Sequence, residues 1–161
     1  MRSTHEFERF IDEKSEILIL GSFPSVMSRK YGFYYMHPSN LFYKVLSALY
    51  NEDFVNVSID KKKELLKKHH IALYDVVIEC DIINSSDATI KNGIYVDLNS
   101  IYKINPNIKI FINGTKAYQL LIKKYPDLKE RFILLPSTSS ANASMSLQKL
   151  IQKWAIITCL K

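Results

Sequence analysis

The sequence predicts an α/β domain with a mostly parallel sheet covered by helices on both faces. Three observations carry that prediction. Apolar runs of strand length recur at 16–20, 71–77, 108–112 and 132–135. Stretches with apolar residues at helical spacing separate them. The alternation requires crossover connections, which generate parallel sheets with helices on their faces. The 161 residues match one domain of the usual ~100–200. No repeat, low-complexity tract or linker divides the chain, so residues 1–161 are read as a single domain.

Each element has its own reason. His5 to Asp12 reads as an amphipathic N-terminal helix with Thr4 as its cap. Glu16–Leu20 is a short apolar run stopped by Gly21, a buried strand followed by a loop. That loop, Gly21 to Ser39, is long and aromatic, and long loops in compact domains are usually functional. Asn40–Tyr50 sets Phe42, Val45, Leu46 and Leu49 on one helical face. Asp60–His70 is a helix from an Asp cap, with Leu65 and Leu66 inward and its lysines on a solvated face. Ile71–Val77 is a strand, Asp97–Ile104 a short helix, and Ile108–Ile112 a strand ended by Asn113-Gly114. Thr115 caps a helix over Lys116–Tyr125, Phe132–Leu135 is the fourth strand, and Ser146–Leu160 is a closing helix.

Composition narrows the function classes. Apolar residues are 47% and charged residues 24%, ordinary for a globular chain. The longest apolar stretches, such as Ile17–Leu20, fall far below the ~20 residues that cross a bilayer. Met1–Glu6 lacks the apolar core of a signal peptide. A soluble, cytoplasmic protein with no membrane partner is expected. Lys plus Arg number 22 and Asp plus Glu 16, a net charge of +6. That excess favours a polyanion such as nucleic acid, although a lysine-rich proteome leaves the same mark. Cys80 and Cys159 are the only cysteines. Two thiolates cannot supply an iron–sulfur cluster or an all-cysteine zinc site. His5, His37, His69 and His70 do not pair with them at zinc-finger spacing. No metal and no cofactor is expected.

Ligands of parallel sheets bind at the carboxyl ends of the strands, which singles out two loops. The first opens Gly21-Ser22-Phe23-Pro24-Ser25 and lacks both the GxGxxG and GxxxxGK[ST] phosphate cradles. It continues from Tyr31 to Tyr43 with six aromatic rings in thirteen residues, beside His37 and Asn40. Rings for stacking and an amide that donates and accepts suit a flat heterocycle. Phe33 and Phe42 equally suit core packing, Asn40 suits a helix cap, and His37 suits a phosphate contact, a proton carrier or a packed position. The second loop, Pro136 to Ser144, holds only small or polar residues after its proline. Such a loop lets backbone amides approach a phosphate or enter a groove, or simply caps the last helix.

Three segments then carry a resemblance: Ile17–Ser25 (ILILGSFPS), Tyr34–Tyr43 (YYMHPSNLFY) and 135–143 (LPSTSSANA). Together with 74–80, 87–92 and 111–118, they resemble the uracil-DNA glycosylase superfamily, most closely its hypoxanthine-DNA glycosylase branch. The resemblance covers nearly the whole chain. It implies a three-layer α/β/α sandwich on a four-stranded parallel sheet. It also implies a monofunctional glycosylase that releases deaminated bases, hypoxanthine foremost, from double- or single-stranded DNA.

The resemblance distributes roles. Gly21, Ser22, Phe23, Pro24 and Ser25 correspond to the motif lining the base pocket, with Phe23 where the mismatch-specific uracil branch has its catalytic Asn. Asn40 is the implied catalytic amide, which orients a water or hydrogen-bonds the leaving purine. Tyr35 is the implied stacking ring, and His37 and Phe42 complete the pocket. Ser137, Thr138, Ser139, Ser140, Ala141 and Asn142 form the implied DNA-intercalating loop, with Ser140 where the branch has proline. Asp75 and Asp87 are carboxylates that could steady the sugar cation. A monomer is expected. Uracil excision, a non-catalytic nucleic-acid binder on the same fold, and a nucleoside hydrolase remain open beside this reading.

Overall fold

The computed structural model describes residues 2–4, 7–82, 90–142 and 144–159. In chain order the elements are β1 (Arg2–Thr4), β2 (Ile17–Gly21), α1 (Val26–Tyr31), α2 (Phe42–Tyr50), α3 (Ile59–Lys68), β3 (Ile71–Asp75), β4 (Val77–Ile82) and β5 (Ile90–Tyr95). Then follow α4 (Leu98–Ile104), β6 (Lys109–Asn113), α5 (Thr115–Lys124), a 3-10 turn at Pro126–Arg131, β7 (Phe132–Leu135), α6 (Leu147–Trp154) and a 3-10 turn at Ala155–Thr158.

The expected four-stranded parallel sheet is present, in the order β3-β2-β6-β7. Successive side chains of a strand face opposite sides, and burial on both sides explains the unbroken apolar runs. Ile17, Ile19, Leu73 and Phe111 pack under α2, α3 and α6 through Phe42, Leu46, Leu66 and Trp154. Leu18, Leu20, Ile110 and Ile112 pack under α4 and α5 through Leu98, Ile101, Ala117 and Leu121. The result is the three-layer α/β/α sandwich.

Several local expectations are corrected. Phe7–Asp12 is not helical: Phe10 bridges Leu73 through Phe10 N–H to Leu73 O (2.9 Å) and Leu73 N–H to Phe10 O (2.8 Å). Because β3 is an edge strand, its outward backbone groups need partners, and this segment supplies them. Thr4 lies in β1 instead of capping a helix, while His5 and Glu6 lie outside the described residues. The strand expected over 71–77 ends at Asp75, where Val76 N–H bonds Gly21 O (2.7 Å) and Val77 N–H bonds Ser22 O (2.9 Å). The chain then enters a second, antiparallel sheet, β1-β4-β5, that periodicity did not reveal.

Ser58, not Asp60, caps α3, its side chain accepting from Lys61 N–H (3.1 Å). Gly114 precedes α5 at φ 102°, a conformation that favours glycine, so Thr115 is the first helical residue and not the cap. The closing helix tightens into a 3-10 turn after Trp154, and Leu160 lies outside the described residues. α1 sits inside what read as one long loop; Ser25 caps it, and Ser28 Oγ holds Met36 N–H at 3.0 Å.

Candidate active site

The carboxyl ends of the parallel strands bring together residues distant in sequence. Gly21 pairs with Asp75, Leu20 with Ile112, and Asn113 with Leu135. Above them lies a cavity of about 500 Å3 lined by Gly21–Ser25, Ser28, Tyr34, Tyr35, Asn40, Asp75, Asn113, Ser137–Ser139 and Ala141. Both loops singled out by the sequence form its walls.

The floor is Gly21, a position where the close approach of neighbours excludes a side chain. A Cβ there would stand 2.6 Å from Asp75 Oδ1 and 3.2 Å from the Tyr35 hydroxyl. Asp75 is 4% exposed, so the sheet delivers an almost wholly buried carboxyl group to the cavity wall. Tyr35 adopts φ 58°, a left-handed conformation uncommon for a bulky residue. Its ring stacks on Phe42 with centroids 4.0 Å apart and 27° between planes. Its hydroxyl is buried and makes no hydrogen bond of regular geometry with the described residues. Burial, and then the Asp75 carboxylate, hold this phenol far above its ordinary pKa, against a smaller opposite pull from the Asn113 amide. Tyr34 is raised by burial and then by Asp75 in the same way, and its hydroxyl donates to Glu8 O at 3.0 Å.

Asn40 reaches the cavity from the turn before α2. Its Oδ1 accepts Phe42 N–H at 3.0 Å and the Thr138 hydroxyl at 2.8 Å. The amide thus tethers the start of the helix while its residue lines the cavity, so capping and a cleft position coexist. Asn113, at the end of β6, grips Thr138 twice. Its Oδ1 accepts Thr138 N–H (3.0 Å) and its Nδ2 donates to Thr138 Oγ1 (3.0 Å). Leu41 N–H bonds Thr138 O at 2.9 Å.

The sequence-predicted residues sort clearly. Gly21, Ser22, Phe23, Pro24, Tyr35, Asn40 and Asp75 line one cavity. Phe42 does not line it; fully buried, it backs Tyr35 and meets Trp154 edge-on at 5.8 Å. His37 is exposed and outside the cavity, its Nδ1 engaged by the Ser39 N–H (3.1 Å) and hydroxyl (2.7 Å). Thr138 is fully buried and anchors its loop, so it is not available to enter DNA. Ser140 and Ala141 form the exposed tip, whereas Ser137, Ser139 and Asn142 are half-buried; Asn142 Nδ2 bonds Ser137 O at 3.1 Å. Asp87 and residue 143 lie outside the described residues.

Sequence reasoning missed Asn113 and Ser28 as cavity residues. Asn113 had a usable signal, since it ends a buried parallel strand directly before a glycine, where ligand sites form. Among the described residues, no group of three or more His, Cys, Asp or Glu could hold a metal ion, and no helix is long and apolar enough to cross a membrane.

Known proteins supply an independent comparison. The chain is 32% identical over 146 residues to a hypoxanthine DNA glycosylase of Methanosarcina barkeri, covering 89% of this chain and 91% of that protein. It is 32% identical over 143 residues to a hypoxanthine DNA glycosylase of Methanosarcina acetivorans, covering 87% and 89%. A solution NMR structure of a candidate uracil DNA glycosylase from Methanosarcina acetivorans superimposes with a TM-score of 0.81 at 30% identity, covering 98% of this chain and 96% of that one. The family model of the uracil DNA glycosylase superfamily matches residues 8–160, and the chain belongs to that superfamily.

Proposed function

We propose that the protein is a monofunctional DNA glycosylase that hydrolyses the N-glycosidic bond of deaminated bases, with hypoxanthine in DNA as its substrate. It works as a cytoplasmic monomer without a metal or cofactor. The observation carrying this reading is the convergence of Tyr35, Asn40 and Asp75 on one cavity bounded by the 137–142 loop. The names of the two archaeal relatives, each aligned over most of its length, support the choice of hypoxanthine.

The chemistry follows from the parts. A base inside a duplex is out of reach and must be everted, at a cost of a few kcal/mol that is least for a mispaired base. The face of Tyr35 turned away from Phe42 returns roughly 1–3 kcal/mol by stacking. The tip at Ser140–Ala141 enters the space the base leaves, while the net charge of +6 favours the phosphate backbone. As the bond to C1′ breaks, its electron pair departs with the base and positive charge develops on the sugar. Asp75 faces that charge as a carboxylate held in a low-dielectric site, where a fixed charge acts strongly. Asn40, too weak a base to remove a proton from water, either hydrogen-bonds the departing purine or holds the water that completes the abasic site.

The test is a panel of duplexes carrying inosine, uracil or xanthine at one position, treated with alkali to reveal abasic sites. Release at inosine is expected, and Asn40→Ala should slow it about 100-fold or more with duplex binding retained. No abasic product with excess protein, or an Asn40→Ala variant at full rate, would overturn the reading. Release at uracil alone would transfer the substrate to the sister branch.

A further inference from the structure

We propose that Thr138 is a positioning residue that takes up the second lone pair of Asn40 Oδ1, whose direction Phe42 N–H already sets, so that the Asn40 amide meets the substrate only as a donor. This rests on the glycosylase reading above and deepens it.

A side-chain amide can be turned over, and only its partners decide its direction. Two backbone N–H groups, which can only donate, settle the matter at both ends of a short chain of hydrogen bonds. Phe42 N–H points at one atom of the Asn40 amide, which must therefore be Oδ1. Thr138 N–H points at one atom of the Asn113 amide, which must likewise be Oδ1. Asn113 Nδ2 then faces Thr138 Oγ1 at 3.0 Å and donates to it. The single hydroxyl proton of Thr138 is thereby directed to its other neighbour, Asn40 Oδ1, at 2.8 Å. The chain has one possible polarity, running from Asn113 through Thr138 to Asn40.

Two consequences follow. A carboxamide oxygen has two lone pairs, and Phe42 and Thr138 occupy both. Asn40 Oδ1 has no lone pair left to accept from a nucleophilic water. Its Nδ2 has no hydrogen bond among the described residues, so the amide's remaining capacity is that of a donor. A leaving purine gathering negative charge is the partner such a group suits. In addition, two donors on Oδ1 polarise the amide and strengthen its N–H groups, as hydrogen-bonded chains do. Thr138, fully buried, is screened from water that would compete for its proton.

The experiment compares wild type, Thr138→Val and Thr138→Ser. Valine keeps the shape and removes the hydroxyl; serine keeps the hydroxyl. Single-turnover release of hypoxanthine should fall about 10- to 100-fold in Thr138→Val, with the Kd for an abasic-analogue duplex within about threefold, and Thr138→Ser should restore most of the rate. The side-chain amide NMR signals of Asn40 should shift or broaden in Thr138→Val and resemble wild type in Thr138→Ser. That measurement needs no activity, so it judges the Thr138 assignment even if the wild type releases no base, an outcome that would sink only the glycosylase reading. A folded Thr138→Val at full rate would overturn the proposal. So would a Thr138→Ser as slow as the valine variant, a loss confined to DNA binding, or Asn40 amide signals unmoved by valine.

Discussion

Replacing Gly21 with alanine puts a methyl group on the cavity floor, and the structure indicates what it meets. The new Cβ would lie 2.6 Å from Asp75 Oδ1 and 3.2 Å from the Tyr35 hydroxyl. Ordinary contact begins near 3.4 Å, so the carboxylate must withdraw by about 0.8 Å against a packed surround. Asp75 is buried, and the two residues are register partners in neighbouring strands, so the backbone holds them together. Overpacking of this kind costs about 1–3 kcal/mol. For a chain of this length that lowers the melting temperature by about 2–12 °C. On the proposed mechanism, in which Asp75 faces the sugar, base release should slow about tenfold or more when that carboxylate is displaced. Thermal unfolding, followed by the fluorescence of Trp154, measures the first effect and single-turnover cleavage the second. The decisive control is Asp75→Ala, which removes the obstructing oxygen. In that background the penalty of Gly21→Ala should shrink by about 1 kcal/mol or more. An alanine variant within about 0.5 kcal/mol of wild type, or one with the same penalty in both backgrounds, would refute the reasoning.

Further outcomes concern the supports of the site. Trp154 is fully buried and its Nε1 donates to Pro136 O at 2.9 Å, tying the closing helix to the 136–142 loop. Trp154→Phe should cost about 1–3 kcal/mol in denaturant unfolding, since a carbonyl loses its partner, and should speed amide exchange at Thr138. Unchanged exchange would mean that the tie does not govern the loop. Glu52, between α2 and α3, accepts from Lys68 at 2.7 Å and pairs with His69. Hydrogen bonds from Lys68, then from His69, hold its carboxyl below the usual range. A carboxyl depressed in the fold contributes stability above its unfolded pKa and loses it as pH falls through the folded value. Glu52→Gln should therefore melt earlier than wild type near neutrality, and the two melting curves should converge in acid. A gap that persists unchanged at low pH would contradict this.

Much of the fold is legible because burial leaves local marks. A strand covered on both faces must be apolar throughout, and β2 and the Ile110–Ile112 centre of β6 read that way. A helix on one face must repeat every third or fourth residue, as α2 does with Phe42, Val45 and Leu46. Where the mark is not local, reading fails. Phe7–Asp12 has a helical apolar spacing, but the unpaired edge of β3 draws it into an extended bridge. β4 and β5 gain their partners from each other and from β1, and nothing in 77–95 alone announces that pairing. Phe42, on a helical face by its spacing with Val45 and Leu46, packs against Trp154 and does not reach the pocket that the resemblance implied for it, while Tyr35 lies at the cavity.

Pattern was enough for the parallel-strand core, the two loops at its carboxyl edge and Asp75 at a strand end, because hydrophobic period and side-chain chemistry travel with the residues themselves; the roles of Asn40 and Tyr35 came from the resemblance of their segment to the superfamily. The chain of bonds from Asn113 through Thr138 to Asn40 came only with folding. Those bonds join residues 25 and 98 positions apart, and such distances close only when the parallel strands stack side by side and bring their ends to one rim. The same stacking leaves room at Gly21 for a carboxylate and a phenol, an intimacy that no stretch of neighbouring letters encodes.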